Sequence, residues 1–467
     1  MRLIKKYFSI LFVLSVFPVA WLTGTNFVTY SDTDIYDFIP QESDIVIEVN
    51  NVNFISEIAY QRIYNQDYVL DQIDMDEVET ETGIDYFSKI VLFREQWANE
   101  YVWFAVLKYR NRKKIENYIK TKMKNTNMAF GNGHVVVQLS ESQNQDEMNK
   151  RLASIAGKKV KPFTARVNLF EVFKPDKEIN AYFIPPTGEY QNQIIEGYLS
   201  FDFKKEHVVI DGEFTPIGGF ENTPSVAYAL NEEAAFSMRS SMNIFNSIYW
   251  FSKEKIDNIP EYSQLALDYD GMNMFMVDLS FGYDFPFKKF PEMDLRFDIV
   301  DTENWHTFYD SALARGKIRV DTTTNLLATK EGTFFKVNFT DDVFELGKKE
   351  NVSFESSSDP NVCFDLQFRI PRLIDNTKFL VDEDNPPSET LRLMVMAVAN
   401  DMMEDMRVMA NVDQIKFKLL KDGPDKIKAE GKVSMVNKNG RSEIECLLFT
   451  KESIYFISQA LEVMSDM

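Results

Sequence analysis

The chain has 467 residues, 51 Lys and Arg against 72 Asp and Glu, three His and two Cys, and a net charge of −21. A balance this acidic excludes general nucleic-acid binding, which depends on neutralising phosphates with cationic side chains. Two Cys and three scattered His exclude a disulfide scaffold and a structural zinc site, while 45% hydrophobic residues supply apolar surface for two or three folded cores.

At the N-terminus Arg2, Lys5 and Lys6 precede an uncharged run of 25 residues, Tyr7–Ser31, and Asp32, Asp34 and Asp37 follow. Basic before and acidic after an apolar segment is the pattern of an export signal, with the basic end retained in the cytoplasm. Two readings stay open. Tyr7–Val28 is long enough to span a bilayer as an uncleaved hydrophobic helix, with Trp21 at the interface. Alternatively Pro18 marks the end of a signal-peptide core, although the small-residue pairs near it (Thr23 and Thr25, or Pro18 and Ala20) make weak cleavage sites. No Cys follows the run, which excludes a lipoprotein anchor. Both readings place the body of the chain in the cell envelope, facing the periplasm.

The next elements occur in pairs. Pro40 precedes a strand-like run, Asp44–Val49, and Pro224 precedes a second, Ser225–Leu230, at an offset of 225 − 44 = 181. Asn180–Ile184 and Asn361–Asp365 repeat the offset, 361 − 180 = 181. Between them, Lys89–Arg94 matches Met272–Val277. Tyr101–Leu107 with a helix near Arg112–Met123 matches Asp294–Val300 with a helix near Glu303–Ala314. A strand pair at Met128–Leu139, turning at Gly131 and Gly133, matches Asn325–Val337, turning at Gly332. In the first half a helix over Asp146–Ala156 follows, with Met148, Leu152 and Ile155 on one face and Gly157 as its cap. Each half ends in a meander, through Asp211 in one and Glu430 in the other, now at an offset of 430 − 211 = 219. The extra residues hold an acidic, Pro-containing loop (Asp382–Pro387) and a long helix over about Ser388–Ala410. A domain-sized period predicts an α+β protein of two duplicated domains, with largely antiparallel sheets and flanking helices. The expected divisions are 1–31 for the hydrophobic helix, 32–219 for the first domain, and 220–467 for the second, with the helical insertion at about 371–411.

The opening Ile39-Pro40, then Asp44-Ile45-Val46-Ile47-Glu48-Val49-Asn50, behind an export segment resembles bacterial cell-envelope proteins of uncharacterised activity, built from repeated α+β modules that begin with a Pro and a short strand. The resemblance implies an envelope location and supplies no functional residue.

The chain contains no G-x-S-x-G, H-E-x-x-H or G-x-x-x-x-G-K-[ST] motif, and Gly131-Asn132-Gly133 lacks the third glycine of a dinucleotide loop. His134 and His207 open strands and His306 lies on a helix; all three read as surface or edge residues rather than catalytic bases. Acid–base chemistry would therefore fall to carboxylates, among which spacing selects no pair. The acidic run from Asp67 to Asp85 departs from the EF-hand order at Val78 and reads as a solvated face. From Lys108 to Arg166 there are 14 Lys and Arg against 4 Asp and Glu, a local charge of 14 − 4 = +10. Arg110, Arg112, Lys113, Lys114, Lys120 and Lys124 lie on or beside one helix and form a candidate patch for an anionic partner, lipid or polymer, or else a face balanced by the acidic run. On the long helix Met402, Met406 and Met409 continue an apolar stripe that is either core or a partner surface. Alternation puts Cys363 on a polar face with Asp365 and Gln367, and Cys446 on an apolar one, which argues against their pairing.

These features predict an exported or membrane-anchored envelope protein that binds or scaffolds rather than catalyses. Its partners would be the membrane, through the N-terminal helix, and a protein or lipid; no cofactor, metal or nucleic acid is expected. A lipid-handling protein, suggested by 39 Phe and the basic stretch, and a carboxylate-dependent hydrolase are the alternatives.

Overall fold

The computed structural model describes residues 33–53, 82–85, 88–97, 100–122, 126–140, 145–184, 194–204, 207–216, 224–242, 259–276, 287–320, 326–329, 332–347, 354–357, 359–380 and 412–435. They fall into two compact units, one reaching Phe203 and the other holding the strands from His207 onward.

The first unit opens with a 3-10 helix, Thr33–Phe38, and contains β1 (Ile45–Val49), β2 (Ile90–Trp97), β3 (Glu100–Lys108), α1 (Arg112–Lys122), β4 (Met128–Gly131), β5 (His134–Gln138), α2 (Gln145–Ala156), α3 (Leu169–Val172), β6 (Ile179–Phe183) and β7 (Ile194–Phe203). The strands pair antiparallel in the order β4-β5-β3-β2-β1-β6-β7. Alternation sends side chains to two faces, and both are covered. One face packs Val46, Val91, Phe93, Phe104 and Val136 under Ile35, Phe38, Ile39 and the Met148, Leu152 and Ile155 stripe of α2. The other packs Ala105, Val135 and Val137 under Ile115 and Ile119 of α1. Each fully buried aliphatic or aromatic side chain contributes about 1.5–3 kcal/mol.

The second unit contains β8 (His207–Pro216), β9 (Phe236–Ser240), β10 (Tyr262–Met276), β11 (Phe287–Ile299), α4 (Thr302–Ala314), β12 (Ile318–Val320), β13 (Leu327–Thr329), β14 (Phe334–Phe339), β15 (Val343–Gly347), β16 (Val362–Arg369), α5 (Ile370–Asn376), β17 (Lys378–Leu380), β18 (Val412–Lys421) and β19 (Ile427–Met435). Its antiparallel order is β12-β13-β14-β15-β11-β10-β9-β16-β18-β19-β8, and β17 adds parallel to the far half of β10. The central run β15-β11-β10-β9-β16-β18 thus follows the same path as β5-β3-β2-β1-β6-β7 of the first unit. Its apolar face packs Leu265, Phe297 and Phe344 against Trp305 of α4, whose indole N–H donates to the Glu261 carbonyl at 3.0 Å.

The expected α+β class with flanking helices is corrected by this architecture. Antiparallel sheet dominates, with nineteen strands and five α-helices among the described residues. The strands are also longer than their local patterns suggest. The strand placed at Met272–Val277 begins at Tyr262, because β10 runs through Gly271 with a register shift instead of stopping there. Gly271 has φ +132, and a Cβ would stand 2.8 Å from the Asn376 carbonyl oxygen, so only glycine lets the strand continue past α5. Ser225–Leu230 is not a strand; β9, the partner of both β10 and β16, lies at Phe236–Ser240. No helix among the described residues is long and apolar enough to cross a membrane. The N-terminal hydrophobic segment, the acidic run before Thr82, the long Met-bearing helix with Met402, Met406 and Met409, Lys124 and Cys446 lie outside the described residues.

Candidate functional site

The predicted basic patch is assembled by α1. Asn111 caps it, its side-chain oxygen accepting from the backbone N–H of Lys113 at 3.1 Å and of Lys114 at 3.2 Å. Ile115 and Ile119, four residues apart, are buried against the sheet, which turns Arg112, Lys113, Lys114 and Lys120 outward into solvent. Lys113 and Lys120 lie seven residues apart and therefore on the same side of the helix. Lys120 pairs with Glu116 one turn earlier at 2.7 Å, and this hydrogen bond holds the Glu116 carboxyl below its usual range. Arg110 pairs with Asp85 at 3.2 Å, and Arg112 lies 4.4 Å over the Phe130 ring. Five of the six predicted residues are thus carried by one helix and its lead-in.

The placement of these charges runs against helix stability. The first turn of α1 contains Arg112, Lys113 and Lys114 and no acid, although the positive end of the helix dipole disfavours each cation there by about 0.3–1 kcal/mol. By contrast, α4 follows the usual rule. Asp301 caps it by accepting from Glu303 and Asn304, and Glu303 occupies its first turn. A local rule broken on an exposed surface, with the Arg112–Phe130 contact as a partial offset, points to a use for the charge.

Two buried polar clusters were not anticipated. In the first unit Glu48 is fully buried. It accepts from Lys89 at 2.9 Å, from the Tyr36 hydroxyl, and from Asn180 at 3.0 Å, and Lys89 also donates to Tyr36 at 3.1 Å. In the second unit Arg239, 1% exposed, grips Asp268 with two bonds of 2.8 and 3.1 Å. It also donates to the carbonyls of Ala229, Met238 and Leu267 and lies 4.7 Å over Phe354. These bonds turn each charge inward on its own neighbours, as buried pairs require. The sequence signal was present: one acid in an otherwise apolar β1, and one Lys at the head of β2.

Strand register also lines up charges across the second sheet. Glu345 lies opposite Arg296, Arg239 opposite Asp365, Asp365 opposite Lys418, and Lys418 opposite Glu430. Arg296 bonds Asp298 at 2.8 Å and Glu345 at 3.0 Å. The Tyr228 hydroxyl donates to Asp298 at 2.7 Å, and burial together with that carboxylate pushes its pKa up to about 12.

The histidines and Cys363 meet expectation only in part. His134 is buried rather than at the surface, 4.8 Å from the Phe38 ring, with Nδ1 3.0 Å from the Asn132 carbonyl oxygen. His207 is half-buried at the head of β8, and His306 is exposed on α4, stacked 4.3 Å from Phe339. Cys363 does share a face with Asp365 and Gln367, but that face is covered. The thiol is free, donates to the Leu419 carbonyl at 3.3 Å, and is pushed by burial up to about 11. Among the described residues no group of three or more His, Cys, Asp or Glu side chains is gathered to hold a metal ion.

No family model and no curated protein matches the chain. Two solved structures do. Crystal form IV of TP0453 is 9% identical, with 38% of this chain and 79% of that one covered and a TM-score of 0.23. Crystal form I of TP0453 is 12% identical, with coverages of 40% and 80% and a TM-score of 0.24. At such scores the likeness bears no weight on fold or role.

Proposed function

We propose that the protein is an exported, membrane-tethered envelope protein that acts by binding an anionic partner rather than by turning over a substrate. The observation that carries this reading is the outward row of cations on α1, set in the first turn at a cost in helix stability, in a chain of net charge −21. The basic-apolar-acidic order at the N-terminus supports the tether.

Cell fractionation tests the location. After alkaline carbonate washing the chain is expected in the membrane pellet, and protease added to spheroplasts should digest it from outside. Recovery in the cytosol, protected from protease, overturns the proposal.

A further inference from the structure

The cations of α1 share one end of the first unit with a second basic segment. After α2 the chain turns through Lys158, and Lys159 and Lys161 follow, both exposed and without an ion pair among the described residues. The end of α2 abuts the β4–β5 turn so closely that a Cβ on Gly131 would stand 1.8 Å from the Ala156 carbonyl oxygen. On the other side of that turn, the Gly133 carbonyl accepts from Tyr109 at 3.1 Å, Tyr109 meets the Phe130 ring edge-on at 5.5 Å, and Arg112 lies over Phe130. One turn therefore joins the start of α1 to the exit of α2.

The chain also enters the unit here. Lys158 pairs with Asp37 at 3.0 Å, Gln41 N–H donates to the Lys161 carbonyl at 2.9 Å, and Phe163 N–H donates to the Ile39 carbonyl at 2.7 Å. Phe38 packs on His134, the first residue after the turn. The described residues begin at Thr33, five residues beyond Val28, the end of the expected spanning segment, and five residues reach at most about 18 Å. That is on the order of twice the Debye length at physiological ionic strength.

We infer that Arg112 and Lys113 of α1, together with Lys159 and Lys161 beyond α2, form one composite surface that docks on the anionic head groups of the bilayer from which the chain emerges. This deepens the proposed function by naming the partner, and it rests on the tether for proximity. Lipid is favoured over a soluble acidic polymer because the second basic segment is bonded to the first described residues of the chain, those nearest the expected spanning segment. Each Lys or Arg near an anionic membrane surface raises binding about fivefold, so loss of all four should cost on the order of a hundredfold or more.

The test uses the full chain with vesicles of phosphatidylcholine alone or with phosphatidylglycerol added, read by flotation and by backbone hydrogen exchange. Exchange at residues 110–116 and 157–161 is expected to slow on the anionic vesicles only. The slowing should be lost in ~1 M salt, where the Debye length falls to about 3 Å. It should also be lost in an R112Q/K113Q/K159Q/K161Q variant whose circular dichroism matches the parent. Equal exchange on both vesicles overturns docking. Slowing by soluble polyglutamate, with none on anionic vesicles, overturns it in favour of a polymer. Flotation reports separately on the tether. A chain that floats with both vesicle types, without the exchange difference, keeps the tether and loses the docking. A chain that floats only with anionic vesicles, and not as the variant, keeps the docking and loses the tether.

Discussion

Glu48 and Lys89 form a pair whose members depend on each other more than the fold depends on the pair. Both side chains are nearly inaccessible, and Glu48 has no water to turn to when its cation is removed. Lys89→Met is expected to destabilise the protein by about 3–5 kcal/mol, whereas the Glu48→Gln/Lys89→Met double variant should recover part of the loss. Urea titrations of the two singles and the double measure this coupling. Asp365 behaves differently. Burial raises its carboxyl above the usual value of 3.8, with Lys418 at 3.4 Å opposing the shift, and its Oδ1 has no hydrogen-bond partner. The folded state therefore holds this proton to higher pH than the unfolded chain does. Stability from this site is greatest below pH 3.8 and falls as pH rises through the raised value. Asp365→Asn is accordingly expected to raise the Tm at neutral pH and to leave it unchanged at strongly acidic pH, as scanning calorimetry across pH would show.

Elements differ in how openly the sequence declares them. The helix predicted over Asp146–Ala156 forms as α2, with Met148, Leu152 and Ile155 buried, because apolar residues at three- and four-residue steps have one way to face a sheet. Strand face was harder to read. Asp365 and Gln367 alternate with Phe364, Leu366 and Phe368 and so look solvent-facing, yet the loop around Ala229 and the segment near Phe354 cover that side, the Glu232 carbonyl taking a bond from Gln367. The loop that carries Ala229 and Glu232 lies more than a hundred residues away in sequence, beyond the reach of local periodicity. The basic face of α1 was legible as charge, but its relation to Lys159 and Lys161 was not, since only the folded β4–β5 turn brings the two together. Caps supply a direct comparison between the two helices. Asp301→Ala should cost about 1 kcal/mol through loss of the α4 cap. Lys113→Glu in the first turn of α1 should instead raise stability by about 0.3–1 kcal/mol while weakening contact with anionic vesicles. Opposite signs for stability and binding in one variant, measured by thermal melts and flotation, would mark the charge as functional.

At the scale of the whole molecule the sheet order fixes which parts of the chain must meet. Far-ultraviolet circular dichroism is expected to show a dominant β signal, in keeping with the corrected class. The two central strands are short, five residues each, and each is completed only by a distant partner. Ile45 of β1 pairs with Phe183, a separation of 183 − 45 = 138 residues, and Phe236 of β9 pairs with Phe368, a separation of 368 − 236 = 132. Non-local pairings of this kind fold slowly, because loop closure is paid before the contacts that reward it. Refolding from urea, followed by tryptophan fluorescence in stopped flow, should accordingly be dominated by phases of milliseconds to seconds or slower. Under the proposed export the consequence is one of timing. Synthesis proceeds at about 5–20 residues per second, so β1 is made several seconds before β6 exists to close its second edge. During that interval the first sheet is incomplete and the polypeptide remains slack enough to be threaded. Delay written into the strand order would thus hold the chain in a transportable form until its last partners emerge.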